Sequence, residues 1–247
     1  MSGRYLESPH KSSYRRPMTS TLIVGGTGSL GSGIARNRAA LGDHVVLTSR
    51  SADRAEKAAR DIGGDIHGRA LDLSDPHGIE SALSGIGPVD HLVLATAAND
   101  TSRNTLAAFD IDAAADSVTV KLIGFTETIR VVRERFTPSA SVVVFGGLAR
   151  NRPYPGSTMV TTFNAGVSGL VRTLALELAP IRINALHPGV VGDSSRWRDQ
   201  PDHPAIARTP LGRLVTIAEI VDATDFLLTN TGVCAIDLMI DGGLRAS

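Results

Sequence analysis

The chain has 247 residues, 42% of them hydrophobic, and its 25 basic residues balance 25 acidic ones. Zero net charge gives no electrostatic attraction to nucleic acid or to an anionic membrane, so we expect neither partner. The single cysteine, Cys234, excludes an internal disulfide and fits a reducing, cytoplasmic compartment. The longest apolar runs are too short to span a bilayer.

The N-terminal residues are polar and basic and lack the apolar core of a signal peptide. We expect residues 1–19 to be a disordered extension. An arm that regulates the protein or contacts another subunit is the alternative.

Short β-branched runs alternate with longer amphipathic runs through the rest of the chain. Strands are predicted at 21–25, 44–48, 66–73, 91–97, 141–147, 181–189 and 235–243, and helices at 30–42, 51–61, 76–85, 111–136, 157–179 and 217–229. Near-continuous apolar runs in four of the strands indicate parallel strands covered on both faces. The pattern predicts one α/β domain over 20–247, a doubly wound parallel sheet of Rossmann type, with a single long loop at 192–210.

A glycine-rich turn follows the first predicted strand and opens the first predicted helix. Its glycines let backbone amides approach a pyrophosphate, which then lies at the positive end of the helix dipole. A merely tight turn would use the same glycines, but the place of this one in the α/β pattern favours nucleotide binding. The cofactor contacts predicted here are Gly25, Thr27, Gly28, Ser29, Leu30 and Gly31.

The second predicted strand ends in "LTSRS". An acidic residue here is typical of sites that bind the ribose of NAD, whereas an arginine favours the 2′-phosphate of NADP. Arg50, with Ser49 and Ser51, therefore predicts NADP(H), although a solvated surface arginine is the alternative. Asp72 and Leu73, at the end of the third strand, are placed to hold the adenine.

With these residues the chain resembles the short-chain dehydrogenase/reductase family over roughly residues 20–244. "RINALHPGVV" is similar to the stretch that packs on the nicotinamide, which implies contacts from Pro188, Gly189 and Val191. "PLGR" and "MIDGG" resemble later landmarks of the family. "GGTGSLG" resembles the glycine variant of extended members and of polyketide ketoreductase domains, and "LATA" replaces the usual Asn-Asn-Ala-Gly.

The resemblance also implies a catalytic tetrad of Tyr, Lys, Ser and Asn, which this chain lacks in its usual form. Val160 aligns with the tyrosine, Asn164 with the lysine and Gly147 with the serine. Lys121 aligns with the asparagine, so that Lys121 and Asn164 reproduce an exchange made by polyketide ketoreductase domains. Loss of a general acid costs about 10²–10⁴ in rate. We therefore expect ketone reduction by the usual family mechanism to be crippled.

Two residues are candidates for the missing proton donor. Tyr154 lies between two prolines in the loop before the fifth predicted helix, although a structural turn explains it equally well. Lys121 can act as the acid if desolvation lowers its pKa; a surface lysine is the alternative. Trp197 either lines a substrate pocket or anchors the 192–210 loop, and Asp193 stands where a threonine commonly binds the nicotinamide carboxamide.

The residues support an NADP(H)-dependent oxidoreductase that acts on a small molecule. A non-redox isomerase, cyclase or dehydratase on the same scaffold and a catalytically idle NADP-binding sensor or partner subunit are the alternatives, because fold alone does not decide function. The resemblance implies a homodimer or homotetramer through the helices at 111–136 and 157–179. No metal site is predicted.

Overall fold

The computed structural model describes residues 18–97 and 103–246. Most of the predicted N-terminal extension, residues 1–17, lies outside the described residues. The chain is already tied to the sheet at Thr19, whose carbonyl oxygen accepts the amide proton of His44 at 2.9 Å.

The described residues form a seven-stranded parallel sheet, which confirms the predicted fold class. The strands are β1 (Ser20–Val24), β2 (His44–Ser49), β3 (Ile66–Ala70), β4 (Val89–Leu94), β5 (Phe136–Phe145), β6 (Arg182–Pro188) and β7 (Asp237–Ile240). Their order across the sheet is β3-β2-β1-β4-β5-β6-β7. Each predicted strand is present, and each neighbouring pair is parallel.

Helices cover both faces of this sheet. They are α1 (Ser29–Ala40), α2 (Ala52–Ile62), α3 (Ile79–Ala82), α4 (Ile111–Val118), α5 (Phe125–Val132), α6 (Thr158–Glu177) and α7 (Ile217–Thr229). The predicted helix at 76–85 is only a 3₁₀ turn followed by the four residues of α3. The predicted helix at 111–136 is interrupted by a π-helical turn, Thr119–Gly124. Such turns are frequent at functional sites.

Alternate residues of the strands pack into separate apolar clusters on the two faces. On β1, Leu22 and Val24 pack with Phe125 and Val167 of α5 and α6. Ile23, between them in sequence, packs on the opposite face with residues of α1, α2 and α7. This burial on both faces explains why the strands are apolar throughout.

The chain direction across the sheet reverses between β1 and β4. From β1 the sheet continues through β2 to β3 on one side, and through β4 to β7 on the other. The loops that leave the carboxyl ends of β1 and β4 therefore diverge and open a crevice, which is where ligands bind in open α/β sheets.

A buried arginine joins three elements beneath this crevice. Arg38 of α1 is fully buried; its Nε donates to Asp43 at 2.6 Å and its Nη1 to Asp225 of α7 at 2.6 Å. Asp43, itself buried, also accepts the hydroxyl proton of Thr21 at 2.6 Å. Both charged groups thus have partners that compensate for their desolvation.

We predict that Arg38→Leu lowers the free energy of unfolding by about 3–5 kcal/mol, because Asp43 is then left buried without its counter-charge. Urea titration monitored by circular dichroism measures the loss. Arg36→Leu, on the exposed side of the same helix, is the matched control and should change the stability by less than about 0.5 kcal/mol. Equal losses in the two variants would contradict this account of Arg38.

Candidate active site

A cleft of about 480 Å³ lies at the carboxyl ends of the strands. Its volume falls in the range of small-molecule sites. It brings together most of the residues that the sequence predicts for the cofactor and for catalysis: Gly25, Thr27, Gly28, Ser29, Leu30, Gly31, Ser49, Arg50, Asp72, Leu73, Lys121, Pro188, Gly189 and Val191.

The glycine-rich turn forms one wall of the cleft. Gly25 has a φ of +85°, and a Cβ on it would lie 2.8 Å from the Thr96 hydroxyl oxygen. A Cβ on Gly31 would lie 2.2 Å from the Gly25 carbonyl oxygen. Gly28 is the N-cap of α1 and makes no side-chain cap, and the residues that open α1, from Gly28 to Gly31, line the cleft. This wall has the form of a phosphate cradle.

Beyond the turn, the cleft is basic and contains an unsatisfied hydroxyl. Arg50 and Arg54 both line it. The Thr48 hydroxyl oxygen is buried there, and no described residue forms a hydrogen bond with it. Because buried polar atoms in native proteins nearly always have a partner, this orphan is consistent with a polar ligand. The cradle, the orphan and the two arginines fit a nicotinamide dinucleotide.

Lys121 reaches the cleft from the π-helical turn. The residue is only 3% exposed, and its Nζ donates to the carbonyl oxygens of Thr96 at 3.0 Å and of Phe145 at 2.6 Å. It also lies 4.5 Å from the centroid of the Phe125 ring. Burial lowers the pKa of Lys121 to about 7. The alternative of a surface lysine is therefore wrong.

The other tetrad positions lie behind the wall of the cleft. Val160 is buried in a small apolar cluster with Ala149 and Phe163. Asn164 is also buried, and its amide nitrogen lies 3.1 Å from the place that a Cβ on Gly147 would occupy. The amide of Asn164 thus fills the space beside the position where the family has a serine.

A buried histidine holds the end of β5. His187 is fully buried, and its Nδ1 accepts the amide proton of Gly147 at 3.1 Å, so its proton is on Nε2 and is donated to Asp237 at 3.0 Å. Asp237 also accepts the Ser168 hydroxyl proton at 2.6 Å. Burial lowers the pKa of His187. A Cβ on Gly146 would lie only 2.3 Å from the ring nitrogen Nδ1.

Three predicted residues take other positions. Ser51 does not line the cleft; its hydroxyl caps α2 by accepting the amide proton of Arg54. Tyr154 is 44% exposed and does not itself line the cleft; its hydroxyl accepts from Arg103, which does, at 3.1 Å. Asp193 accepts the amide proton of Ile217 at 2.7 Å, at the start of α7. In each case a nearby hydrogen-bond partner determines where the side chain points.

The 192–210 loop closes one side of the cleft. Trp197 lines the cleft and packs edge-on against His203, with ring centroids 4.7 Å apart. The Ser195 amide donates to the Ser29 hydroxyl oxygen at 3.0 Å, which links the loop to the glycine-rich turn.

Sequence reasoning missed several residues of the cleft. Arg54 stands four residues after Arg50, in the first turn of α2, and this proximity in sequence could have been noticed. Thr48, Arg103, Asp116 and Ser195 also line the cleft, and only the folded chain brings them there. Among residues 18–97 and 103–246, no helix combines the length and the apolar content that crossing a bilayer requires.

The chain is similar in sequence to reductases. The family model described as enoyl-(acyl carrier protein) reductase matches residues 25–245. The chain is 26% identical to the 3-oxoacyl-(acyl-carrier-protein) reductase of Bos taurus, over 90% of this chain and 96% of that protein. It is 30% identical to the L-xylulose reductase of Mus musculus, over 92% and 96% of the two chains.

Solved structures agree with these relatives. A short chain dehydrogenase/reductase family protein matches with a TM-score of 0.83 and 27% identity, over 93% of this chain and 98% of that chain. A putative betaketoacyl-ACP reductase matches with a TM-score of 0.82 and 28% identity, over 93% and 98%.

The depressed pKa of Lys121 predicts a pH dependence of stability. Between pH 7 and 10.5 the unfolded chain binds more protons at this lysine than the folded chain does, so stability rises with pH. From pH 6 to pH 9 the wild type should gain about 2.5 kcal/mol relative to Lys121→Met. Denaturant titration at the two pH values measures this gain. Lys57→Met, at an exposed lysine, should show the same gain in stability as the wild type. The same gain in Lys121→Met would contradict the lowered pKa of Lys121.

Proposed function

The chain belongs to the short-chain dehydrogenase/reductase family, and from this premise we propose that it is an NADP(H)-dependent oxidoreductase in which Lys121 supplies the proton to a carbonyl substrate. The relatives reported above are named as reductases, and the family uses nicotinamide cofactors. The observation that carries the proposal is the buried Lys121 ammonium on the cleft wall, with a pKa of about 7.

The preference for NADP(H) rests on the basic end of the cleft. Arg50 and Arg54 line the same part of it and are both exposed, so their guanidinium groups are free to turn toward an anionic ligand. Arginine binds phosphate through paired, charge-assisted hydrogen bonds. The 2′-phosphate of NADP(H) is the group that distinguishes it from NAD(H), and these two arginines are suited to bind it.

Lys121 is suited to proton transfer. When bound, the nicotinamide cofactor supplies the hydride that reduces the carbonyl carbon. The Lys121 ammonium donates a proton to the carbonyl oxygen, which gives an alcohol and a neutral amine, and solvent then returns the proton to the amine. A pKa near 7 matches the donor to neutral pH, where general acids are most effective.

The surroundings of Val160 and Asn164 support roles in shape and positioning, with Lys121 as the proton donor. Val160 packs among apolar side chains and contributes shape rather than a proton. Asn164 is a positioning residue beside Gly147, because its amide occupies the space next to the end of β5. The carbonyl oxygen of Phe145, at that same strand end, is one of the two acceptors that hold Lys121.

The substrate class follows from the relatives, which are named as reductases of a 3-oxoacyl group and of L-xylulose. Both names denote carbonyl compounds, so we propose a small carbonyl compound for this chain. Ser194 to Trp197 of the 192–210 loop form the part of the wall that would contact it.

We also propose a homodimer or homotetramer. In a single chain, the outer face of the helices from 111 to 177 leaves Ile111 73% and Ile123 51% exposed. Ala165 and Gly169 are exposed one turn apart on α6, whereas Gly166 packs inward against Leu122. Small residues on an outer helix face allow a second helix to approach closely.

The cofactor preference predicts the effect of Arg50→Asp. Because a hydrogen bond to a charged group contributes about 1.5–3 kcal/mol, we expect NADPH binding to weaken by roughly 10- to 100-fold. Binding of NADH should change much less. Fluorescence titration of each cofactor measures both affinities, with Arg60→Asp, on an exposed face of α2, as the control. Equal losses for NADPH and NADH would contradict binding of the 2′-phosphate at Arg50.

The proton donor predicts the pH profile. NADPH-dependent reduction should be constant below pH 7 and should fall about tenfold per pH unit above it, as the ammonium deprotonates. Lys121→Met should lower kcat by about 10²–10⁴. Stopped-flow oxidation of NADPH with a panel of ketones, oxoacyl thioesters and ketoses measures the rates.

The control is Lys57→Met, which should retain the wild-type profile. An unchanged profile in Lys121→Met would overturn Lys121 as the donor. Tight NADPH binding without oxidation across the whole panel would instead favour the non-redox enzyme or the idle sensor.

A further inference from the structure

Two histidines and an aspartate converge far from the cleft. The Nδ1 of His44 lies 2.9 Å from one carboxylate oxygen of Asp65, and the Nε2 of His67 lies 3.1 Å from the other. One potential ligand atom from each residue lies within 4.8 Å of the others. The imidazole centroids are 5.1 Å apart. These three residues form what we call the His-Asp-His cluster.

The strand register explains why the cluster forms. His44 begins β2, and His67 pairs with Val46, two residues further along that strand. Side chains at positions 44 and 46 point to one face of the sheet, and the pairing places position 67 on the same face. Asp65, two residues before His67, shares that face. The cluster therefore follows from β-pairing at the amino ends of β2 and β3, opposite the cleft.

We propose that the His-Asp-His cluster binds one Zn²⁺ ion, with water as a further ligand. Imidazole nitrogen and carboxylate oxygen are preferred zinc ligands, and three protein ligands with an open position form a recognised zinc arrangement. Because the ligands come from two adjacent strands, the bound ion would fasten the edge strand β3 to β2. The proposal is independent of the oxidoreductase function.

The local geometry allows zinc to enter with side-chain rotation alone. At zinc–ligand distances of about 2.0–2.2 Å, the ligand atoms of a tetrahedral site lie about 3.3 Å apart. Each histidine nitrogen already lies this close to an Asp65 oxygen, at 2.9 and 3.1 Å, but to a different one of the two, so the carboxylate either ligates through both oxygens or turns to present one. The two imidazoles must approach each other further. The side chains of His44 and His67 are 36% and 64% exposed, so each has a solvent-facing side toward which it can rotate.

Two simpler interpretations compete with zinc binding. In the first, Asp65 only accepts a hydrogen bond from each histidine, which explains the contacts without an ion. In the second, zinc binds elsewhere, for example at the exposed Cys234. Variants of the cluster and of residues outside it separate these interpretations.

The test uses the full-length chain without an affinity tag. Equilibrium dialysis against ZnCl₂ at pH 7.5 should find one ion per chain, and Zn²⁺ at about 100 times its Kd should raise the Tm by roughly 5 °C or more. MgCl₂ should have no effect, because Mg²⁺ prefers oxygen ligands.

His67→Ala and Asp65→Asn should each lose the bound ion and the zinc-dependent rise in Tm. His77→Ala, at an exposed histidine outside the cluster, and Cys234→Ser are the matched controls and should retain both. Circular dichroism checks that the cluster variants fold. NADPH affinity, which depends on the opposite end of the sheet, checks that the cleft is intact.

One ion per chain that persists in both His67→Ala and Asp65→Asn would overturn the proposal. Loss of the ion in Cys234→Ser, or absence of zinc binding in the wild type, would overturn it as well. Because NADPH oxidation is assayed separately, failure of the zinc proposal is distinguishable from failure of the proposed function.

Discussion

The architecture of the cleft depends on one cation held by two backbone carbonyls. Lys121 joins the chain just beyond β4 to the end of β5 through the carbonyl oxygens of Thr96 and Phe145. Its ammonium is buried where solvation is poor, which explains both its depressed pKa and the need for two strong acceptors. The π-helical turn brings the side chain to this point. The same buried ammonium therefore holds two loops of the cleft together and has the lowered pKa.

The two halves of the cleft differ in how closely they follow the family pattern. At the phosphate end, the steric demands at Gly25 and Gly31 leave little freedom, since any side chain would collide with backbone or with Thr96. At the other end of the cleft, Lys121 comes from the π-helical turn, and the Asn164 amide of α6 fills the space beside Gly147. Under the proposed function, one scaffold keeps its cofactor cradle while the source of the proton changes.

The sequence predicted features that have a local pattern. These are the seven strands, the glycine-rich turn, and Lys121 as the unusual member of the tetrad. It could not predict contacts between distant residues. The Ser51 hydroxyl and the Asp193 carboxylate accept backbone amide protons at the starts of helices, and the Tyr154 hydroxyl accepts from Arg103. These hydrogen bonds replace the cofactor or substrate contacts that the sequence suggested. The bond between His187 and Asp237 joins residues fifty positions apart in neighbouring strands. The break in the helix at 111–136 also left no clear signal, because its residues keep helical periodicity.

The imidazole of His187 occupies the space into which a side chain at position 146 would project. A side chain at position 146 and an imidazole at position 187 therefore compete for the same space, although Gly146 follows β5 and His187 lies in β6. A variant with a larger residue at 146 needs a smaller residue at 187. That second substitution removes the acceptor of the Gly147 amide proton, so a change at either position reaches the backbone beyond β5.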